Sequence, residues 1–452
     1  MNLPRKVHFI GIGGIGISGL AKIFLEFGLK VTGSDLFDSP TIEYLKDGKA
    51  VIKIGKHRAE SLANDTGLVV YTNAIRSDNP EYKKAKKLKI KMLSYPQCLG
   101  SLLQDYIPLV VTGTHGKSTV TAMLAKIFLE AGLDPTVLVG TKIKECDNNN
   151  SRLGLSRYFI LEGDEYKEAF LNYVPVALII NNIEADHLDY YKDEPAVVRA
   201  FQKLAHKVPQ GGFIIANADD TNVSKAIHGV KCRLITFGLN HGDYQATHIR
   251  RHGELTRFAV KGLENFDLAL KIPGVHNVKN ALAACLLASV FGIKYEIIKK
   301  ALLAYGGAWR RFEIKSEKNK ILFIDDYAHH PTEIKATLNT ARQIFVGRRI
   351  WCIFQPHSQD RTKKLFNDFV GSFSDCDFLV LTEIFHVAGR ENTRPISSKS
   401  LFDKIRVDKK STQFIKNYKN IPKLISKKLL PGDVVITMGA GNITEISDSY
   451  IK

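Results

Sequence analysis

Apolar and polar positions alternate in blocks along the whole chain. Short runs rich in β-branched residues each end in a glycine-rich or polar turn, and most lead into an amphipathic stretch. Lys6–Ile10 reads as the first strand, Ser18–Phe27 as a helix and Lys30–Asp35 as the second strand. Gly67–Thr72 is a further strand that opens into the polar loop Asn73–Glu81. Tyr106–Thr112 is predicted as a buried strand, with a helix over Val120–Glu130. Tyr158–Glu162 and Val176–Asn181 are strands, and a helix opens within Pro273–Asn280. The last third predicts strands at Lys320–Ile324, Arg349–Phe354, Phe378–Leu381 and Val434–Met438, with helices over Ile334–Phe345 and Thr362–Phe373. The polar stretch Lys142–Arg152, with its run of three asparagines, is expected to be a solvated surface loop. Strands alternating with helices predict an α/β fold with parallel sheets. Three domains are expected: N-terminal Rossmann-like over 1–105, central P-loop α/β over 106–307, and C-terminal Rossmann-like over 308–452, with Tyr305-Gly306-Gly307 as a hinge.

Candidate chemistry sits where these strands end. After Tyr106–Thr112 comes Gly113-Thr114-His115-Gly116-Lys117-Ser118-Thr119 and then a helix. Strand, glycine turn, Lys-Ser and helix form the layout of a phosphate-binding loop, whose backbone N–H groups and helix N-terminus favour anions. Lys117 is expected at the β/γ-phosphates of ATP and the Ser118 hydroxyl on Mg²⁺. Gly11-Ile12-Gly13-Gly14-Ile15-Gly16 after the first strand, with Asp35 closing the second, is a dinucleotide-type fingerprint for a diphosphate ligand; Asp35 could instead cap a turn. The loop opening with Asn73 and Ala74 lies at the same sheet edge. Two central strands end in acids and a histidine, which points to Glu162 and His187 as metal ligands beside Ser118. Asn277 and Asn280 lie one helical turn apart; taken alone, an Asn at a helix start is a cap. Arg310 and Arg311 bring two charges that could reach phosphate. Two histidine-rich loops, Asp325–Glu333 and Gln355–Arg361, suit a small charged molecule, while His330 and His386 retain a structural reading.

Composition narrows the classes. The formal net charge is +18, but the lysines are spread through helical stretches and no aromatic-interleaved nucleic-acid motif is present. A solvated lysine-rich surface without nucleic acid is expected, and a nucleic-acid-stimulated ATPase remains the alternative. The six cysteines include no C-x-x-C pair, which fits a reducing compartment. No apolar run is long enough for a membrane span, and MNLPRKVHFIGIGG enters a strand with no cleavage pattern, so a cytoplasmic protein with no membrane insertion is expected.

Taken together, GIGGIG at 11–16, Ser34-Asp35, GTHGKS at 113–118, Asn182–Asp189, His276-Asn277 with Asn280, Arg310–Phe312, DDYAHHPTE at 325–333 and Gln355-Pro356-His357 resemble the Mur ligase family over nearly the whole chain. The resemblance implies an ATP- and Mg²⁺-dependent ligase that joins L-alanine to the carboxylate of UDP-N-acetylmuramate through an acyl phosphate, acting as a monomer or weak homodimer. It implies catalytic roles for Lys117, Glu162, His187 and Arg311, and a metal set of Ser118, Glu162 and His187. Gly113 to Thr119, Asn277, Asn280, Arg311 and Asp326 would serve ATP. Gly11, Gly13, Gly14, Ile15, Gly16, Ser34, Asp35, Asn73 and Ala74 would serve the UDP-sugar. Tyr327, His329, His357 and Arg361 would line the alanine end. Ser118 stands where the family usually has Thr, and Ser358 where alanine-adding members usually carry arginine. Glu162–Tyr166 leans toward members that recycle the cell-wall tripeptide, whereas Tyr327 and His357 favour alanine. Outside these readings stand a non-catalytic nucleotide-sugar sensor, which the acid and histidine clusters disfavour, and a folylpolyglutamate synthetase, which the N-terminal glycine fingerprint disfavours.

Overall fold

The computed structural model describes residues 3–264, 266–386, 396–408 and 411–450. The chain forms two compact units. The first takes residues up to 184, 195–271 and 279–305; the second takes 185–194, 272–278 and 306 onward.

Among the described residues the first unit holds two sheets. The N-terminal sheet contains β1 (Lys6–Ile10), β2 (Lys30–Asp35), β3 (Val51–Ile54), β4 (Leu68–Tyr71) and β5 (Lys91–Ser94), all parallel, in the order β3-β2-β1-β4-β5. The order reverses between β1 and β4. The glycine loop after β1 and the Asn73 loop after β4 therefore flank the crevice where open α/β sheets take ligands. The second sheet contains β6 (Ile107–Thr112), β7 (Thr136–Ile143), β8 (Asn149–Arg152), β9 (Tyr158–Glu162), β10 (Ala177–Ile180), β11 (Phe213–Asn217), β12 (Arg233–Gly238), β13 (Tyr244–His252), β14 (Leu255–Lys261) and β15 (Asp267–Leu270). Its order is β15-β14-β13-β12-β11-β10-β6-β9-β7-β8. The central strands β10, β6 and β9 are covered on both faces, with Leu109 to Val111, Phe159 to Leu161 and Ala177 to Ile180 all fully buried. That is why they read as continuous apolar runs rather than alternating ones.

The stretch 142–152 corrects the expected surface loop. It completes β7 and forms β8, antiparallel to it, with Ile143, Cys146, Asn150 and Ser151 buried. Its polar groups find partners on the helix Ile15–Glu26. Asn150 Nδ2 donates to the Ile15 carbonyl and to Ser18 Oγ, Ser151 Oγ donates to the Gly19 carbonyl (3.1 Å), and Lys22 Nζ donates to the Ser151 carbonyl (2.8 Å). Gly19 makes this approach possible, because a Cβ there would run into Leu138. Polar side chains that are paired can be buried as well as apolar ones.

In the second unit one six-stranded sheet is described, in the order β16-β17-β21-β18-β19-β20. Its members are β16 (Glu313–Lys318), β17 (Ile321–Asp326), β18 (Ile350–Phe354), β19 (Phe378–Leu381), β20 (Thr412–Phe414) and β21 (Val434–Met438). All neighbours are parallel except β16 on β17. The helix expected over 362–373 is two, Gln359–Lys364 and Phe366–Val370; Ser358 caps the first, and Leu365 leaves helical geometry between them. Buried Arg310 ties the sheet edge together. Its guanidinium donates to Asp325 (2.7 Å) and to the Gly439 (2.5 Å) and Gly441 (3.0 Å) carbonyls beyond β21.

Replacing Asn150 by Ala should remove the amide bonds to the Ile15 carbonyl and Ser18 Oγ while Ser18 Oγ still donates to that carbonyl (2.9 Å), and lower the stability of the first unit by about 0.5–1.5 kcal/mol. Denaturant unfolding followed by fluorescence measures this, and an unchanged midpoint would show that the buried polar seam contributes nothing.

Candidate active site

The phosphate loop joins β6 to the helix Lys117–Glu130, which begins at once because Gly116 is its N-cap in the left-handed region (φ 82°). A Cβ at Gly116 would lie 2.6 Å from Asn280 Oδ1 and 2.7 Å from Asn181 Nδ2, so a side chain is excluded there. The end of β10 templates the loop. Asn182 Oδ1 accepts from the His115 N–H (2.7 Å), Asn182 Nδ2 donates to the His115 carbonyl (3.0 Å), and the Asn182 carbonyl accepts from the Thr114 N–H (3.0 Å). Asn181 Nδ2 donates to Asn280 Oδ1 (2.9 Å), which places Asn280 against the loop. Ser118 and Thr119 are buried in the first helical turn.

Lys117 Nζ donates to the Gly113 (2.5 Å) and Thr114 (3.2 Å) carbonyls and pairs with Glu165 (2.9 and 3.1 Å). Burial works to lower its pKa, but Glu165, Asp164 and Glu162 outweigh burial and hold it above the ordinary lysine value. Glu162, at the end of β9, accepts the Gly140 N–H on Oε1 (2.7 Å). Glu165, Asn181 and Asn182 were not among the residues singled out for binding. The acid run Glu162–Glu165 signalled Glu165 only as one of several carboxylates.

At the N-terminal glycine loop, the Ser34 carbonyl accepts the N–H groups of Gly11 (2.9 Å) and Ile12 (3.1 Å), and Asp35 Oδ2 accepts that of Gly13 (2.8 Å). Asp35 thus fixes the loop itself. Gly14 and Ile15 are exposed on it, as are Asn73 and Ala74 beyond β4. The Ser34 hydroxyl is buried and donates to Glu81 (2.8 Å), which also meets His8 Nε2 and His57 Nδ1, each at 2.7 Å. Burial raises the Glu81 pKa, but His8, Ser34 and His57 reverse this and hold it below the ordinary value. Sequence pattern gave no sign of this cluster, because its members come from four separate elements.

In the second unit the expected alanine-end residues come together. Tyr327 and His329 rings lie 5.2 Å apart edge to face, His329 and His357 rings 5.7 Å apart, and His357 Nδ1 is 3.2 Å from Arg361 Nη1. Arg361 is held by a bidentate pair with Asp186, Nε donating to Oδ1 (3.0 Å) and Nη2 to Oδ2 (3.1 Å). Burial raises the Asp186 pKa, yet Arg361 and then His187, His329 and His330 hold it well below the usual carboxylate range. Next to it His187 sits at φ 51° with its N–H on Asp186 (2.7 Å). Arg310 and Arg311 each stack over Tyr327, at 5.3 and 5.1 Å from the ring centroid. Asn277 Nδ2 donates to the Pro273 carbonyl (2.6 Å) at the start of its helix. Asp326 accepts the N–H groups of Ala328 (2.7 Å) and Phe312 (2.9 Å). Burial raises its pKa to about 6, against the lowering effect of Arg311.

Three family models match consecutive stretches of the chain: Mur ligase family, catalytic domain, over 6–107; Mur ligase middle domain over 111–288; and Mur ligase, glutamate ligase domain, over 310–441. The chain belongs to the Mur ligase family. A UDP-N-acetylmuramate–L-alanine ligase of Clostridium perfringens is 42% identical to this Mur ligase over 100% of the chain and 98% of the relative. One of Clostridium tetani is 43% identical over 99% and 98%. Among solved structures, the UDP-N-acetylmuramate-alanine ligase MurC of Thermotoga maritima matches with a TM-score of 0.85 at 30% identity, covering 99% of this chain and 98% of that one. The murein peptide ligase of Psychrobacter arcticus matches with a TM-score of 0.75 at 28% identity, over the same shares.

The raised pKa of Asp326 fixes a pH dependence. An acid whose pKa is near 6 folded and near 4 unfolded favours the native state below about pH 4, and that contribution is lost as pH rises through 6. The Asp326→Asn variant should be less stable overall, since its amide nitrogen cannot accept the second N–H. It should also lack a falling component on the order of 3 kcal/mol between pH 4 and 6. Unfolding titrations of both proteins across that range check this.

Proposed function

We propose that this Mur ligase joins L-alanine to the carboxylate of UDP-N-acetylmuramate, with ATP converted to ADP and phosphate, in peptidoglycan precursor synthesis. The observation that carries the reading is the phosphate loop after β6, with the Lys117 ammonium held among Glu162, Asp164 and Glu165. Full-length relatives at 40–43% identity named as L-alanine ligases supply the amino acid. In this reading residues 1–105 bind the UDP-sugar, 106–307 bind ATP and 308–452 bind alanine.

A carboxylate is a poor electrophile, and transfer of the γ-phosphoryl group makes it an acyl phosphate. Such transfer depends on positioning and on stabilising charge over the moving phosphoryl oxygens. Lys117 supplies a fixed cation for that charge by exchanging Glu165 for β/γ-phosphate oxygens. Gly113 to Thr119 are assigned to the phosphates through the N–H groups of the helix's first turn, since Asn182 takes those of Thr114 and His115, and Asn280 keeps the loop in shape. The Ser118 hydroxyl and Glu162 carboxylate are hard oxygen donors that fit Mg²⁺ and would hold it in the first unit. When bound, the ion offsets phosphate charge. On the second unit, Arg311, Asn277 and Asp326 are assigned to the nucleotide, His187 to the metal, and Tyr327, His329, His357 and Arg361 to alanine. On the first, Gly11, Gly13, Gly14, Ile15, Gly16, Asp35, Asn73 and Ala74 receive the UDP-sugar, with Ser34 acting through its carbonyl. The enzyme works in the cytoplasm as a monomer or weak homodimer. No helix among the described residues is long and apolar enough to cross a membrane.

The test is phosphate release by the purified protein with Mg²⁺-ATP and UDP-N-acetylmuramate, comparing L-alanine, glycine, L-serine and the cell-wall tripeptide. Release is expected only when the sugar and L-alanine are both present. Release with tripeptide in place of alanine, or without the sugar, would overturn the assignment. Lys117→Met should lower kcat by at least about 10²–10³-fold, as loss of a preorganised donor to the transition state does.

A further inference from the structure

We propose that His329 is the general base that accepts a proton from the ammonium group of the incoming amino acid. The proposal rests on the ligase reading above and adds a step that this reading leaves open. An amino acid arrives as an ammonium, which has no lone pair with which to attack the acyl phosphate.

The protonation pattern of the site singles out His329. Its Nδ1 lies 2.9 Å from the Tyr327 carbonyl oxygen and 3.2 Å from Glu333 Oε2. A carbonyl can only accept, so Nδ1 carries the hydrogen and Nε2 carries the lone pair. Among the described residues no side chain or backbone group hydrogen-bonds that Nε2. The neighbouring histidines have the opposite tautomer. His357 Nδ1 faces Arg361 Nη1 at 3.2 Å, and a guanidinium only donates, so Nδ1 accepts and the hydrogen sits on Nε2. His330 Nδ1 accepts the Thr332 N–H at the start of the helix Pro331–Ile344 (3.3 Å), which again leaves the hydrogen on Nε2. Of the histidines on the two loops after β17 and β18, His329 alone presents a basic Nε2.

The groups facing His329 suit the role. Burial depresses its pKa below the ordinary histidine value, which keeps the ring neutral and able to accept. Glu333 opposes that depression. It holds the backbone N–H groups of His329 (3.0 Å) and His330 (3.3 Å) on Oε2, and Arg311 lies 3.8 Å from its Oε1. Glu333 therefore orients the ring and stabilises the imidazolium once it forms, as the third member of an acid–base triad does. The other charges near the ring are Arg361 and Asp186, paired with each other.

The step balances. Nε2 takes one proton, and the freed lone pair forms the C–N bond at the acyl carbon. The tetrahedral adduct expels phosphate with the C–O electron pair. Of the three ammonium protons one goes to His329, one leaves with the phosphate as HPO₄²⁻, and one stays on the amide nitrogen.

The experiment compares two nucleophiles on full-length wild type and His329→Gln, with ATP, Mg²⁺ and UDP-N-acetylmuramate present. Alanine needs a base, whereas hydroxylamine is already unprotonated at neutral pH and traps the acyl phosphate as a hydroxamate. In the variant, kcat/KM for alanine should fall by about 10²–10⁴-fold, the range for general-base catalysis. Hydroxamate formation should persist, which also shows that the variant folds. The acid limb of the wild-type kcat/KM profile for alanine should vanish in the variant. Equal loss of both reactions, or a raised KM for alanine with kcat and the acid limb retained, would overturn the proposal. Wild-type protein that makes hydroxamate but no alanine adduct would overturn the alanine reading, and the base assignment with it.

Discussion

The ammonium of Lys117 is a largely enclosed charge, and an enclosed charge must be paired at every moment. Much of the first unit is arranged around that requirement. Two loop carbonyls and Glu165 satisfy Nζ, and the loop that offers those carbonyls is shaped by Asn181 and Asn182 at the end of β10. Asn181 leaves no room for a Cβ at Gly116, and Asn280 closes the same space from its helix. Glycine, lysine and asparagine are therefore one construction. Glu165 adds a reversible element, since a carboxylate partner can give way to phosphate oxygens while a backbone carbonyl stays in place.

The second unit answers the same requirement with arginine. Arg310 binds Asp325 and two backbone carbonyls, and Arg361 grips Asp186 with two parallel bonds, from Nε and Nη2. The planar, five-donor guanidinium suits this better than lysine, because one side chain fixes several acceptors in fixed directions. Arg310 and Arg311 are adjacent in sequence yet differ in environment. Arg310 is buried and structural, whereas Arg311 remains partly exposed over Tyr327 and near Glu333. The same fixed directions set the histidine tautomers, since a ring nitrogen facing a guanidinium has to accept and one facing a carbonyl has to donate.

Chemistry gathers at strand ends for a common reason. Parallel strands covered on both faces have few polar positions to offer along their length, so most donors and acceptors collect where the chain leaves the sheet. Glu81 shows how far this extends. It joins the start of a helix after β4 to β1, the end of β2 and the chain beyond β3, and so braces the edge that carries the N-terminal glycine loop.

Sequence alone determined the strands β1, β2, β4, β6, β9, β10, β17, β18, β19 and β21, the helices after β1, β6 and β17, the two glycine loops and the clusters of acids and histidines that follow β9, β10, β17 and β18. These are written in short windows, where the period of apolar residues, a glycine that must turn and a lysine beside it need no distant partner. Tertiary structure decided what depended on a partner elsewhere in the chain. Asn149–Arg152 is polar, and the carbonyls of Ile15 and Gly19 with the Ser18 hydroxyl and Lys22 ammonium on the helix Ile15–Glu26 let it form a buried strand. Glu165 rather than Glu162 pairs with Lys117, and Ser34 turns its hydroxyl to Glu81, because side-chain direction follows packing rather than order in sequence. The charge state and tautomer of His329 belong to this second class, since they are set by the electrostatics of groups that only the fold brings within hydrogen-bonding distance.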